Sequence, residues 1–221
     1  MQVSVKILDT VPVTHNVRHY RLERPKGYNF SPGQATEVSI DREGWQDQKR
    51  PFTFTCLPDA DNLEFTIKSY FDHTGVTNEL WSLGPGDKLI LRDVWGTIQY
   101  RGAGTFIAGG AGVTPFIAIL RHLNATGKIA DNRLIVSNQT EKDIILRDEF
   151  EAMDGLETLW TVTNDPKSKL VQERIDADFL KRQVTDFSQN FYLCGPDAMV
   201  KDLRGVLEDL GADVANVTWE R

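Results

Sequence analysis

The residue pattern predicts two architectures in succession: an N-terminal antiparallel six-stranded β-barrel, then a C-terminal α/β domain built on a doubly wound parallel sheet. Three observations carry this. Over residues 1–100, short alternating or apolar runs recur between turn signals. From about residue 104 onward, strand-length and helix-length patterns alternate instead. A glycine-rich run, Gly109-Gly110-Ala111-Gly112, then falls where the first of the later strands gives way to the first helix.

The six early runs are VSVKIL, VRHYRLE, ATEVSI, PFTFTCL, LEFTIKSY and KLILRDV, with turn segments such as PKGYNFSPG, LPDADN and LGPGD between them. Strands at this spacing close into a small barrel, which removes exposed sheet edges. One helix fits at 76–83, ended by Gly84 and Pro85. The rhythm changes at Arg101-Gly102-Ala103-Gly104, read as the inter-domain hinge, so the expected domains are 1–100 and 104–221. After it, strands are expected at 105–109, 134–137, 158–163, 191–194 and 216–219, and helices at 115–126, 145–153, 178–184 and 196–210. Right-handed crossovers put every strand-to-helix loop on one edge of such a sheet, where open α/β sheets take ligands.

Composition sets outer limits. The chain has 221 residues, 40% hydrophobic and 26% charged, enough apolar content for two cores of about 100 residues each. MQVSVKILDT alternates like a strand rather than a signal peptide, and no apolar run reaches a membrane span, so a cytoplasmic protein is expected. A net charge of −7 argues against nucleic-acid and anionic-membrane partners. Cys56 and Cys194 are too few for an iron–sulfur cluster. His15, His19, His73 and His122 show no metal-ligand spacing, so no metal is expected. The local basic group Arg18, Arg21, Arg24 and Lys26 reads first as a solvated edge strand, with a docking patch for an acidic partner as the alternative.

Chemistry concentrates in four segments. Gly109 to Gly112 runs into Val113-Thr114-Pro115, so a sharp backbone turn opens a helix whose unpaired N–H groups suit a pyrophosphate. Pro115 fits the first helical turn, where its missing donor costs nothing. Arg50-Pro51-Phe52-Thr53 offers a guanidinium for a phosphate, a ring to stack on a flat heterocycle and a hydroxyl to hydrogen-bond it. Taken alone, it reads equally well as an edge strand with a surface arginine. Gly75-Val76-Thr77-Asn78 resembles a second phosphate-binding helix start, or an ordinary N-cap. Tyr192-Leu193-Cys194-Gly195-Pro196 ends a strand where a helix begins, which places Cys194 at the ligand edge of the sheet. A small buried cysteine at a strand end is the alternative for Cys194, and for Cys56 it is the whole reading.

Together these segments resemble the ferredoxin–NADP reductase superfamily over essentially the whole chain. The matching residues are Phe30-Ser31-Pro32-Gly33-Gln34, Arg50 to Thr53, Gly75 to Asn78, Gly109 to Pro115 and Cys194 to Pro196, in the family's order. The resemblance implies an FAD-binding barrel over 1–100 and an NAD(P)-binding α/β domain over 104–221. It implies that Arg50 and Pro51 border the flavin pyrophosphate, with Gly75, Val76, Thr77 and Asn78 helping. Phe52 stacks on the isoalloxazine, Thr53 lies near its N5, and Lys68, Ser69 and Tyr70 contact the ring edge. Gly110, Gly112, Thr114 and Pro115 hold the dinucleotide phosphates, and Cys194, Gly195 and Pro196 lie beside the nicotinamide. Glu220, in Val217-Thr218-Trp219-Glu220, borders the flavin. With no aromatic residue after it, the flavin's nicotinamide side is expected to be open.

The implied activity is that of an FAD-dependent NAD(P)H oxidoreductase. NADH or NADPH gives a hydride to flavin N5, with Thr53, Cys194 and Glu220 as the catalytic set, and electrons leave to a flavodoxin, a ferredoxin, an oxygenase component or a small molecule. The rivals are a free-flavin reductase and a non-catalytic electron-transfer subunit. Ser137-Asn138-Gln139-Thr140 and Thr163-Asn164-Asp165 lack the cation a 2′-phosphate calls for, so NADH is the expected donor, with Lys167, Lys169 and Arg174 close in sequence on the other side of the argument.

Overall fold

The computed structural model describes residues 2–96 and 98–219. Its contacts divide the chain into two compact units, 1–96 with 114–122, and 97–113 with 123–221.

The first unit carries one six-stranded antiparallel sheet. Its strands are β1 (Val3–Pro12), β2 (Val17–Leu22), β3 (Ala35–Ile40), β4 (Arg50–Thr53), β5 (Leu63–Lys68) and β6 (Lys88–Trp95), with helix α1 (Val76–Leu80) between the last two. The order β4-β3-β6-β1-β2-β5 leaves β4 and β5 as the two edges. These edges meet at the Phe54↔Phe65 bridge, reinforced by the Thr55 N–H donating to the Glu64 carbonyl at 2.9 Å. The sheet thus curls into the expected barrel but is stitched along only part of its seam. Alternation supplies the interior: Val5, Ile7, Tyr20, Leu22, Val38, Ile40, Phe65, Ile67, Leu89 and Leu91 share one buried cluster. Each such aliphatic or aromatic side chain contributes roughly 1.5–3 kcal/mol.

The second unit is a parallel sheet. In chain order β7 (Gly104–Gly109) is followed by α2 (Thr114–Ala125), of which 114–122 group with the first unit, then by β8 (Asn132–Asn138), α3 (Arg147–Glu151), β9 (Leu156–Val162), α4 (Ala177–Gln183), β10 (Asn190–Cys194), α5 (Asp197–Asp209) and β11 (Val217–Trp219). All pairings are parallel, in the order β11-β10-β7-β8-β9. Strand order reverses at β7, which creates a switch point between β7 and β10. One face, with Ile107, Ile135 and Leu193, is covered by Phe179 and Leu180 of α4 and by Val200, Leu203 and Leu207 of α5. On the other face Phe150 of α3 lies 6.3 Å from the Trp160 ring. The sheet is doubly wound, as the alternating pattern predicted.

Three elements differ from expectation for local reasons. α1 ends at Leu80 rather than 83, its last residues passing into turns. α3 starts only at Arg147, because Leu146 adopts a left-handed conformation (φ 53°) that breaks the helix predicted from 145. β4 stops at Thr53 because the next residue leaves β3 and bridges to β5. Residues 101–103 are tied to β10: the Tyr192 hydroxyl accepts from the Arg101 N–H and donates to the Gly102 carbonyl, both at 2.8 Å, and the Asn190 carboxamide donates to the Ala103 carbonyl at 3.2 Å.

Two residues of the early basic group are anchored to the fold. Arg18 donates to the Trp81 carbonyl at 2.8 Å with its guanidinium 4.5 Å from that ring, and Arg24 donates to the Ala60 and Tyr28 carbonyls. Arg21 pairs with Asp9 at 3.8 Å, and Lys26 is exposed.

Candidate functional site

The first cluster lies along the unstitched part of the barrel seam. Between Arg50–Thr53 on β4 and the end of β5 no ladder forms among the described residues, so backbone groups on both edges lack strand partners. Arg50 is exposed, and its guanidinium donates to the Lys49 carbonyl at 2.7 Å. Pro51 is exposed, Phe52 is half-buried against the barrel core, and Thr53 is buried. Register places Thr53 opposite Ala35 and Ala35 opposite Trp95, so these three share a face of the sheet.

On the facing edge, Lys68 ends β5 and the Ser69 N–H donates to the Asn16 carbonyl at 2.8 Å. Ser69 is 1% exposed, yet its hydroxyl has no hydrogen-bond partner among the described residues. Leaving such a group unpaired costs about 1–3 kcal/mol, so this buried oxygen fits a site completed by a polar ligand. Tyr70 is exposed, with the Lys68 ammonium 5.7 Å from its ring. Buried Val76 and Leu80 pin α1 to the core, and the Tyr20 hydroxyl donates to the Leu80 carbonyl at 2.9 Å. The turn Gly75-Val76-Thr77-Asn78 is therefore held in place, although the Asn78 carboxamide is spent on the His73 carbonyl at 3.0 Å.

The second cluster sits at the switch point of the parallel sheet. Gly109 ends β7, Gly110 to Val113 form a tight turn, and α2 opens with Thr114 and Pro115. Cys194 ends β10 opposite Ala108 and is buried, and Gly195 and Pro196 lead into α5. A Cβ on Gly112 would stand 2.3 Å from the Cys194 carbonyl oxygen, and one on Gly109 would meet the Met199 sulfur at 2.6 Å. Glycine is imposed at 112 because two backbone segments touch there, whereas at 109 the crowding comes from the Met199 and Pro196 side chains. The motifs at 109–112 and 194–196, some 80 residues apart, form a single crevice wall at the sheet edge that takes ligands in folds of this kind.

Beside it, the loops after β8 and β9 are bound to each other. The Thr163 N–H donates to the Asn138 carbonyl at 3.0 Å, the Asn164 N–H to the Gln139 carbonyl at 2.8 Å, and the Glu141 N–H to the Asp165 carboxylate at 3.1 Å. Asn138 is 5% exposed, and its carboxamide nitrogen has no acceptor among the described residues. In sequence that residue stood out only for not being a cation. Its unpaired donor comes from packing, which no local pattern encodes. Among the described residues no group of three His, Cys, Asp or Glu side chains could hold a metal ion, and no helix is long and apolar enough to cross a membrane. Glu220 and Arg221 lie outside the described residues, so the expectations placed on Glu220 and on an open nicotinamide side have no structural counterpart here.

Residues 106–205 match the family model of the oxidoreductase NAD-binding domain. The whole chain superposes on a ferredoxin NADP+ reductase from Neisseria gonorrhoeae, solved with bound FAD and NADP, with a TM-score of 0.87 at 21% identity over 99% of this chain and 98% of that one. The chain shares the fold of that reductase over its whole length. Among curated proteins of similar sequence, the reductase component of propane 2-monooxygenase from Mycolicibacterium goodii is 27% identical over 93% of this chain. NADH-cytochrome b5 reductase 1 from Rattus norvegicus is 27% identical over 89% of this chain and 78% of its own length. The chain spans 63% of the length of the Mycolicibacterium goodii protein. The glycine crevice falls within the matched residues 106–205, and the unstitched seam lies in the barrel that precedes them.

Proposed function

We propose that the chain is an FAD-dependent NAD(P)H oxidoreductase, with 1–100 as its FAD-binding domain and 104–221 as its NAD(P)-binding domain. The observation that carries the reading is the unstitched barrel seam, where Arg50–Thr53 and the buried, unpartnered Ser69 hydroxyl flank strand edges in need of partners. It is supported by the 109–112 and 194–196 crevice within the matched NAD-binding domain.

Bound along the seam, a flavin supplies an atom that accepts a hydride from reduced nicotinamide and then passes electrons to a separate acceptor. The chain's residues bind and orient. Arg50 holds the diphosphate, with the 75–78 turn beside it, and Phe52 stacks on the ring system. Thr53, Lys68, Ser69 and Tyr70 border the ring edge, Ser69 through a hydroxyl that thereby finds its partner. Gly110 and Gly112 let the dinucleotide phosphates approach the backbone, Thr114 and Pro115 open the helix that receives them, and Cys194, Gly195 and Pro196 border the nicotinamide. Alignment of the two rings is the main lever on rate. The acceptor is a separate redox partner such as a ferredoxin, a flavodoxin or an oxygenase component, and the setting is cytoplasmic.

NADH is the preferred donor. The loops at 137–140 and 163–165 hold no cation, and Asp165 puts a carboxylate where a 2′-phosphate would approach. The test is anaerobic bleaching of the purified yellow protein by NADH and by NADPH. A colourless chain that takes up no flavin refutes the reading, and a tenfold higher kcat/KM for NADPH refutes the donor preference. Flavin that washes out on desalting identifies a free-flavin reductase. Failure to reduce a soluble dye identifies a transfer subunit dependent on another chain.

A further inference from the structure

We propose that Arg42 keeps the diphosphate end of the barrel site electropositive by neutralising Glu79, and so sets how tightly FAD is held. The inference rests on the flavin reading above. Glu79 directly follows Asn78 and is the acidic residue of α1's first turn, next to the segment assigned to the diphosphate. A bare carboxylate there repels an anion. Its partner is Arg42, whose guanidinium donates to the Glu79 carboxylate and lies 5.8 Å from the Trp45 ring.

Arg42 comes from residue 42 of the β3–β4 connection, the same connection that delivers Arg50. That loop is held without the ion pair. The Trp45 N–H donates to the Arg42 carbonyl at 3.0 Å, the Gln48 N–H to the Trp45 carbonyl at 3.2 Å, and the Arg92 guanidinium to the Gln46 carbonyl at 3.0 Å. Trp45 itself packs on the barrel core. α1 is held separately by Val76, Leu80 and the Tyr20 hydroxyl. Of the neighbouring charges, Lys49 pairs with Glu37 at 3.6 Å and Asp41 accepts from Ser4 and Gln46, while the Glu79 carboxylate also accepts from the Ser82 hydroxyl at 3.4 Å. Removing Arg42 therefore changes the local charge while leaving both segments anchored.

A mechanical strap and a charge shield predict different signs. A strap loses function whichever partner is removed. A shield is harmed by loss of Arg42, which bares Glu79, and is not harmed by loss of Glu79. The experiment titrates flavin-depleted full chain with FAD and with riboflavin, which has no phosphate, at low and high salt. Arg42→Ala should weaken FAD roughly three- to tenfold at low salt, Glu79→Gln should bind at least as tightly as wild type, and the double variant should return to within about twofold of it. Arg42→Lys should restore affinity, riboflavin should bind all forms alike, and high salt should shrink the differences. Glu79→Gln needs no Arg42 variant to fold and carries the sign by itself. Equal losses for Glu79→Gln and Arg42→Ala, or an equal loss for riboflavin, overturn the proposal. A wild-type chain that binds neither flavin overturns the flavin reading instead.

Discussion

The two units build their candidate sites from opposite materials. In the barrel, the candidate site is a gap between strands, with long side chains such as Arg50 and Lys68 on its edges and the buried Ser69 hydroxyl just beyond the end of β5. In the parallel sheet, the site is backbone: 109–112 and 194–196 approach so closely that Gly112 has no room for a Cβ beside the Cys194 carbonyl. A side-chain site can be weakened by degrees. A backbone site fails as a unit, because a clash with a main-chain carbonyl cannot be relieved by rotating a side chain.

The largest effect is therefore expected at Gly112. Gly112→Ala forces a carbon to within 2.3 Å of the Cys194 carbonyl oxygen, and separating the two segments costs about 1–3 kcal/mol or more. Reduction by NADH should fall by roughly a hundredfold or more, since a displacement of about 1 Å at a reacting centre has that scale. Flavin content should be retained. The comparison breaks if the variant loses flavin but, once reconstituted, accepts hydride at the normal rate.

The matching change in the barrel is Arg50→Ala. Loss of a charge-assisted phosphate contact removes roughly 1.5–3 kcal/mol, a factor of about ten to one hundred and fifty in FAD affinity. Because Arg50 is exposed and, among the described residues, its guanidinium bonds to the adjacent Lys49 carbonyl, Tm of the flavin-free chain should barely move. Fluorescence titration with FAD measures the first quantity and calorimetry of the apoprotein the second. Unchanged FAD affinity would take the arginine out of the site.

Cys194 sharpens the comparison, for it is a side chain at a backbone site. It is buried at the end of β10, against Gly112 through its carbonyl. Cys194→Ala should slow anaerobic flavin reduction about tenfold, with flavin content and Tm close to wild type. A lowered Tm with normal hydride transfer would make it a packing residue and nothing more.

The same contrast explains what the sequence reveals. The glycines of 109–112 announce themselves because backbone constraints write directly into residue type, and period 2 against period 3.6 separates the two sheets without ambiguity. The partial stitching of the barrel is illegible, because nothing in PFTFTCL says that Thr53 is the last residue to pair with β3 and Phe54 the first to pair with β5. Nor does sequence reveal that the Ser69 hydroxyl and the Asn138 amide lack partners, or that Arg42 meets Glu79 across 37 positions. Each is a tertiary coincidence. The break before α3 is similar: 145–153 reads as one helix, and only the left-handed Leu146 interrupts it.

The smallest effect is expected at Tyr20, which joins the barrel wall to α1. Burial pushes its hydroxyl up to about 12 from an ordinary value of 10.0, and the hydroxyl donates to the Leu80 carbonyl at the end of α1. A raised folded-state pKa means that the folded protein keeps a proton that the unfolded chain loses. The associated stability is complete below pH 10 and disappears as pH rises toward 12. Tyr20→Phe removes this titration and leaves the Leu80 carbonyl without its donor. The variant should be about 1 kcal/mol less stable than wild type at neutral pH, and the gap should close through that alkaline window. Denaturant unfolding at pH 7, 10 and 11.5 measures the gap, with flavin fluorescence reporting whether α1 still holds its end of the site. Since α1 carries the 75–78 turn, Tyr20→Phe should also loosen FAD slightly while leaving riboflavin binding alone. A gap that persists undiminished at high pH would mean that packing around the ring, rather than the hydroxyl's bond to Leu80, fastens the helix to the barrel.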